Sequence, residues 1–234
     1  MDAVVAHGQA SIEKGSKSFR TASKLFGPQM REDAWLLYAW CRRCDDEIDG
    51  QQSGFGATEL DLPERRRRLA RLDVLTRAAL AGEPMQDPDF AAFQRVAQRH
   101  GLDAKWPLAL LEGFAMDVEG RTYRTIDDTL DYCFGVAGVV GVMMGRIMGV
   151  KDDAVLRRAQ DLGLGFQLTN IVRDIYEDAA TGRLYLPADW LEEAGVAADP
   201  KSVLAPHNAA AVHGVAMRLL EVADAYYASA RRGL

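Results

Sequence analysis

A chain of 234 residues, 48% hydrophobic and 26% charged, suits one large domain with a full apolar core and excludes a disordered segment. Its net charge of -6 argues against nucleic acid as a partner, because phosphate binding calls for a clustered basic surface. Cys41, Cys44 and Cys133 make an odd count with no secretory signal ahead of them, which predicts a reducing, cytoplasmic location and no disulfide framework.

Helical periodicity dominates, and no stretch shows sustained apolar-polar alternation, so the predicted fold is an all-α, single-domain helical bundle. The first helix runs from Asp2 to about Lys14. GSKSF, Gly15 to Phe19, then interrupts the pattern as a loop or flap. Ser16 and Ser18 offer hydroxyl and backbone donors to phosphate oxygens, helped by Lys17 and Arg20, or else they cap the next helix.

Gly27-Pro28 opens a long helix that ends near Gly50 and contains YAWCRRCDDEID, Tyr38 to Asp49. Tyr38, Arg42, Asp45 and Asp49 follow one another at steps of four, three and four, which stacks them on one helix face. That seam is polar, whereas Trp35, Leu36, Ala39, Trp40 and Ile48 fill the other sectors. Carboxylates that lose water cost several kcal/mol each unless compensated, and a single Arg does not neutralise Asp45 and Asp49 with Asp46 and Glu47 nearby. A hard divalent cation answers that imbalance. Cys41 and Cys44 form a CxxC within the same helix, but no second Cys or His pair stands at zinc spacing, so they read as helix packing.

Gln51 to Asp61 has no periodicity, and Pro63 opens a helix through about Leu80. Arg65 to Arg68 point around a whole turn of it, either as a solvated face or as a contact for anionic lipid head groups at the membrane periphery. Asp87-Pro88 and Asp103 mark further helix starts at bundle-like spacing. Thr125 and Asp128 have the spacing of a capping box before Tyr132 to Gly141, YCFGVAGVVG. The apolar run without a charge from Tyr132 to Gly145 has 14 residues against the ~20 needed to span a bilayer, so no membrane crossing is predicted. Gly138, Gly141, Gly145 and Gly149 recur there at steps of three, four and four. Each interior Gly gives up ~1 kcal/mol relative to Ala, so the stripe needs a reason. Close helix packing is one. Room for a long apolar chain, lined by Met143, Met144 and Met148, is the other.

The acidic pattern returns in QLTNIVRDIYED, where Gln167, Asn170, Asp174 and Asp178 step by three, four and four, with Arg173 beside them. Two helices each offering aspartates at i, i+4 suit several Mg²⁺ or Mn²⁺ ions held through oxygen ligands, with coordination positions left for phosphate oxygens. A lone DxxxD is more often a solvated face; the duplication favours one shared site. GRLYLP, Gly182 to Pro187, stops this helix, with Tyr185 and Arg183 placed to cover the mouth of a site. A short helix follows from Asp189 to Glu193, and the last begins at about Asn208.

YAWCRRCDDEID, QLTNIVRDIYED and YCFGVAGVVG together resemble the squalene and phytoene synthases, within which the likeness is strongest to bacterial phytoene synthases. It extends through GSKSF, RTY at Arg121 to Tyr123, GRLYLP and the closing YYASARRGL. The resemblance implies an isoprenoid-synthase bundle with a central cavity, and family members carry helices beyond the point where this sequence ends. It implies Mg²⁺-dependent head-to-head condensation of two geranylgeranyl diphosphates, through a cyclopropyl diphosphate, to phytoene, the first step of carotenoid synthesis, without NADPH. Asp45, Asp49, Asn170, Asp174 and Asp178 would hold metal; Ser16, Ser18, Phe19, Tyr38, Arg42, Gln167, Asn170 and Arg173 would bind substrate. The resemblance places Tyr132 at the catalytic pocket.

Three rivals stand beside this reading. A squalene- or dehydrosqualene-type synthase would use farnesyl diphosphate, and a squalene synthase would also need NADPH. A terpene cyclase or head-to-tail prenyl synthase shares DDxxD, yet Asn170, Arg173, Asp174 and Asp178 fit neither a cyclase's Asn/Ser/Glu triad nor a second DDxxD. A non-catalytic assembly protein of the same fold would be expected to lose acids from one seam, and both seams are intact.

Overall fold

The computed structural model describes residues 2–50 and 60–233, with the side chain of Ser18 also outside the described residues. The described residues are helical throughout, with no strand among them. They fall into two compact units, Met1–Val118 with Met143–Lys151, and Glu119–Val142 with Asp152–Leu234.

In the first unit α1 (Ala3–Gly15), α2 (Lys17–Ser23), α3 (Pro28–Asp49), α4 (Leu62–Ala81), α5 (Pro88–His100) and α6 (Lys105–Val118) follow in order. The boundaries sit where the sequence places them. Asp2, Asp61 and Asp87 each accept a backbone N–H of the first turn, Pro opens α3 and α5, and Gly50 and Gly101 end α3 and α5 at φ 65° and 58°. Only glycine adopts that left-handed turn without strain. GSKSF is not a loop. Ser16 alone departs from helical geometry, and its hydroxyl accepts the Phe19 N–H at 3.2 Å, capping α2. The aperiodic stretch predicted from Gln51 onward lies, through residue 59, outside the described residues.

α3 is central to this unit, packing on α1, α4, α5 and α6. Its apolar sectors bury Leu36, Leu37, Trp40 and Ile48, and the Trp40 ring stacks on Phe93 of α5 at 4.2 Å. Such an aromatic pair adds ~1 kcal/mol beyond the apolar area it buries. Asp33, 1% exposed, is a charge inside this core, met by Arg99 and by His100 at 3.0 Å. The pairing keeps a dehydrated carboxylate from being an uncompensated charge. Arg67 and Arg68 of the arginine run pair with Glu64 one turn back, and Arg68 also reaches Glu47.

In the second unit α7 (Ile126–Cys133) starts on the predicted capping box, Thr125 accepting the Asp128 N–H and Asp128 accepting that of Thr125. It continues through a π-helical turn, Phe134–Gly138, into α8 (Val139–Ile147). The uncharged run is thus part of a 22-residue helical segment, Ile126–Ile147, long enough for a bilayer and containing an 18-residue window of mean hydropathy 1.4, half of which is buried in the protein. α9 (Asp153–Ala180), α10 (Ala188–Glu193), α11 (Pro200–Leu204) and α12 (Ala209–Ala230) complete the unit. α9 and α12 pack along each other, burying Leu164, Leu168, Val212, Val215 and Leu219.

The glycine stripe resolves into two functions. A Cβ on Gly141 would lie 2.2 Å from the Ala159 carbonyl oxygen of α9, and one on Gly163 would lie 2.4 Å from that of Ala137. Glycines on both helices therefore let the backbones touch, which is the packing alternative. Gly149 is not in a helix interior; with φ at 85° it closes the turn after α8, where the Val150 N–H returns to the Gly145 carbonyl at 3.0 Å. The π turn also breaks the regular register that a uniform stripe would require.

Candidate functional site

The first acidic seam forms as its spacing requires. Tyr38, Arg42, Asp45 and Asp49 are all half-buried on α3. Arg42 pairs with Asp45 at 2.6 Å and lies 3.7 Å from Asp46. One guanidinium is thus shared between carboxylates. Loss of water pushes the Asp45 carboxyl up to about 6; Arg42 opposes this, while Asp49, Asp46 and Asp117 of α6 add to it. Asp45 keeps 38% of its side-chain exposure, so water still screens it. Burial works against the charge on Arg42, but Asp45, Tyr38 and Asp46 outweigh it and hold the guanidinium more firmly protonated. Asp46 is adjacent in sequence and already counted with the seam, whereas Asp117 lies on a separate helix, and no sequence signal marks it.

Tyr38 is covered by α2. Phe19 stacks on its ring at 5.7 Å, the Arg42 guanidinium lies 6.0 Å from its centroid, and burial raises its hydroxyl pKa. Gly15 is required here, because a Cβ would meet the Tyr38 hydroxyl at 2.3 Å. Burial, with Asp45, pushes the Cys41 thiol up to about 12, and burial raises Cys44 as well, away from thiolate reactivity.

The second seam lies on α9. Gln167, Asn170, Asp174 and Asp178 are half-buried, and Asn170 donates to Gln167 at 3.3 Å. Arg173 grips the adjacent Asp174 with two hydrogen bonds, 2.7 and 2.6 Å, and is itself 68% exposed. It engages an acid of its own seam rather than standing beside it unengaged.

Tyr132 packs into an aromatic cluster that sequence spacing does not reveal. Its ring stacks on Tyr185 at 4.6 Å and tilts against Tyr123 at 5.5 Å, all three being buried. Thr129 donates to the Tyr185 carbonyl at 2.9 Å, and the Ala188 N–H to that of Tyr123 at 2.9 Å, holding GRLYLP against RTY. Tyr185 is therefore buried in this cluster, against Tyr132.

Among the described residues no three His, Cys, Asp or Glu side chains converge into a group that could hold a metal ion. The donor set is nevertheless hard oxygen, and burial, with Asp49, Asp46 and Asp117 nearby, holds the Asp45 carboxyl above its ordinary range. That combination fits a divalent cation completing its coordination with ligand oxygens and water.

Aspartate pairs on two helices of an all-α fold offer hard oxygen ligands of the kind that divalent cations take. The squalene/phytoene synthase family model matches residues 12–234. A phytoene synthase of Pseudescherichia vulneris is 54% identical over 97% of this chain and 73% of its own length, and a 15-cis-phytoene synthase of Paracoccus sp. is 51% identical over 100% and 75%. Among solved structures, the squalene synthase HpnC of Alicyclobacillus acidocaldarius superposes with a TM-score of 0.81 at 26% identity, covering 97% of this chain and 83% of that one. The chain belongs to the squalene/phytoene synthase family, prenyltransferases that need a divalent metal, and it has their isoprenoid-synthase fold.

Proposed function

We propose that this protein joins two molecules of geranylgeranyl diphosphate head to head to give phytoene. The observation that carries the chemistry is the Asp45–Asp49 seam, where burial and neighbouring carboxylates hold Asp45 above its ordinary range in spite of its contact with Arg42. Its likeness to phytoene synthases over nearly its whole length supports the choice of substrate. Bound at Asp45, Asp49, Asn170, Asp174 and Asp178, Mg²⁺ or Mn²⁺ would neutralise the charge on each departing diphosphate.

Arg42, Arg173 and Ser16 hold diphosphate oxygens. Arg42 exchanges part of its contact with Asp45 for phosphate, and Arg173 does the same at Asp174. The first diphosphate leaves to give an allylic cation, which the alkene of the second substrate attacks. Loss of a proton closes a cyclopropyl diphosphate; its ionisation, rearrangement and a second proton loss give phytoene. The ring faces of Phe19, Tyr38 and Tyr132 stabilise these cations and keep water from quenching them. Two diphosphates and two protons leave, and no hydride enters, so the reaction balances without a reductant.

Incubation of the protein with geranylgeranyl diphosphate and Mg²⁺, without NADPH, is expected to yield phytoene. Accumulation of the cyclopropyl diphosphate until NADPH is supplied would replace this assignment with a squalene-type reaction. Preference for farnesyl diphosphate in competition would move the substrate to the shorter chain.

A further inference from the structure

The face of α3 that carries the acidic seam extends upstream of it. Arg31, Trp35, Tyr38, Arg42, Asp45 and Asp49 continue at steps of four, three, four, three and four. The downstream half of the stripe is acidic. The upstream half is occupied by α2 and the turn after it.

α2 has 7 residues, too short to persist on its own, and no glycine closes its end. Its final carbonyls and those of the following turn need donors. Arg31 supplies them: Nε donates to the Ser23 carbonyl at 3.2 Å, and one terminal nitrogen donates to the carbonyls of Lys24 at 3.1 Å and Phe26 at 2.9 Å. One turn further along α3, the Trp35 indole N–H donates to the Ser23 hydroxyl at 3.3 Å, and that hydroxyl donates to the Arg20 carbonyl at 3.0 Å. Ser23, 1% exposed, is held from both sides. At the opposite end of α2, Ser16 caps the helix and Phe19 stacks on Tyr38.

We infer that Arg31 is a positioning residue for diphosphate binding: by gathering the carbonyls of Ser23, Lys24 and Phe26 it clamps α2 along α3 and fixes Phe19 on Tyr38, with Ser16 capping the same helix. This rests on the proposed function for its ligand. A planar guanidinium holds its five N–H donors in a fixed fork that suits three carbonyls around one plane, whereas the three donors of an ammonium sit at a single point on a flexible stem. The hydrogen bonds of Arg31 go to the carbonyls of Ser23, Lys24 and Phe26, so its influence passes through the placement of α2.

The test compares Arg31→Gln, Arg31→Lys and Trp35→Phe with the parent protein by amide hydrogen exchange and by steady-state kinetics on geranylgeranyl diphosphate with Mg²⁺. In the Arg31 variants, exchange is expected to accelerate in 19–26 while 34–48 of α3 stays protected. KM is expected to rise about tenfold with kcat little changed, the pattern of lost binding rather than lost chemistry. Trp35→Phe, which keeps the ring and loses one donor, should shift both readouts in the same direction and less. Unchanged KM in a folded Arg31 variant overturns the inference, as does full rescue by Lys. Acceleration spread evenly over α2 and α3 also overturns it, because Arg31 would then support the whole unit and not this helix. The exchange readout needs no substrate, so a parent protein that makes no phytoene defeats the proposed function while the clamp is still judged on 19–26.

Discussion

Asp45→Asn removes a carboxylate whose ionisation the fold resists and, in the proposed mechanism, a ligand that the metal needs. Turnover is expected to fall about a hundredfold or more in Asp45→Asn, and equally in Asp174→Asn, with the helical circular dichroism unchanged. Near-normal product formation by either variant would refute the role of that aspartate. The metal-free protein offers a second readout. The Asp45 carboxyl sits at about 6 when folded against ~3.9 when unfolded, so between those values the folded state binds more protons. Its contribution to stability is full below about pH 4 and is lost as pH rises through about 6. Asn does not titrate, so the Tm of Asp45→Asn relative to the parent should climb across this interval in EDTA. A difference that stays flat from acid to neutral pH would mean the seam is not short of positive charge.

Two glycines separate the reasons a helix can contain one. At Gly141 even a methyl group would lie 2.2 Å from a backbone oxygen, which cannot rotate away. Gly141→Ala is therefore expected to cost about 1–3 kcal/mol through overpacking, seen as a Tm lower by several degrees. The refolded variant should keep the parent's preference among prenyl chain lengths, because the contact is with Ala159 and not with substrate. A stable variant restricted to shorter chains would instead assign this position to a tunnel wall. Gly214, inside α12, has nothing within 4 Å of where a Cβ would stand. Gly214→Ala should accordingly stabilise by up to ~1 kcal/mol through helix propensity alone. A loss of stability there would contradict the open surroundings.

For the molecule as a whole, a net charge of -6 and aspartates on both seams would repel a prenyl diphosphate. Arg42 and Arg173 reduce that repulsion, but each is engaged by an acid of its own seam. Binding should consequently require a divalent cation that reverses the local sign. Titration calorimetry with a non-hydrolysable prenyl diphosphate analogue is expected to show tight binding with Mg²⁺ and weak or no binding in EDTA. Equal affinity in the two conditions would show that the arginines suffice.

Local chemistry made much of this legible in advance. Caps such as Asp61, the Thr125–Asp128 box and the Pro starts of α3 and α5 act within a few residues, so the sequence by itself determined where most helices begin and end. The 3.6-residue period likewise determined that Tyr38, Arg42, Asp45 and Asp49 share one face. What a face meets is a different matter, because a partner element is chosen by packing between residues far apart in sequence. Only the tertiary structure decided that GSKSF is a helix junction laid over Tyr38, that Gly141 and Gly163 bring two backbones together, and that Tyr132 stacks with Tyr123 and Tyr185. It also placed Asp33 between Arg99 and His100, more than sixty residues away, where burial of a charge is tolerated because long-range neighbours compensate it. Periodicity fixes direction around a helix axis; the identity of what lies in that direction is set by the closest packing the whole chain can reach.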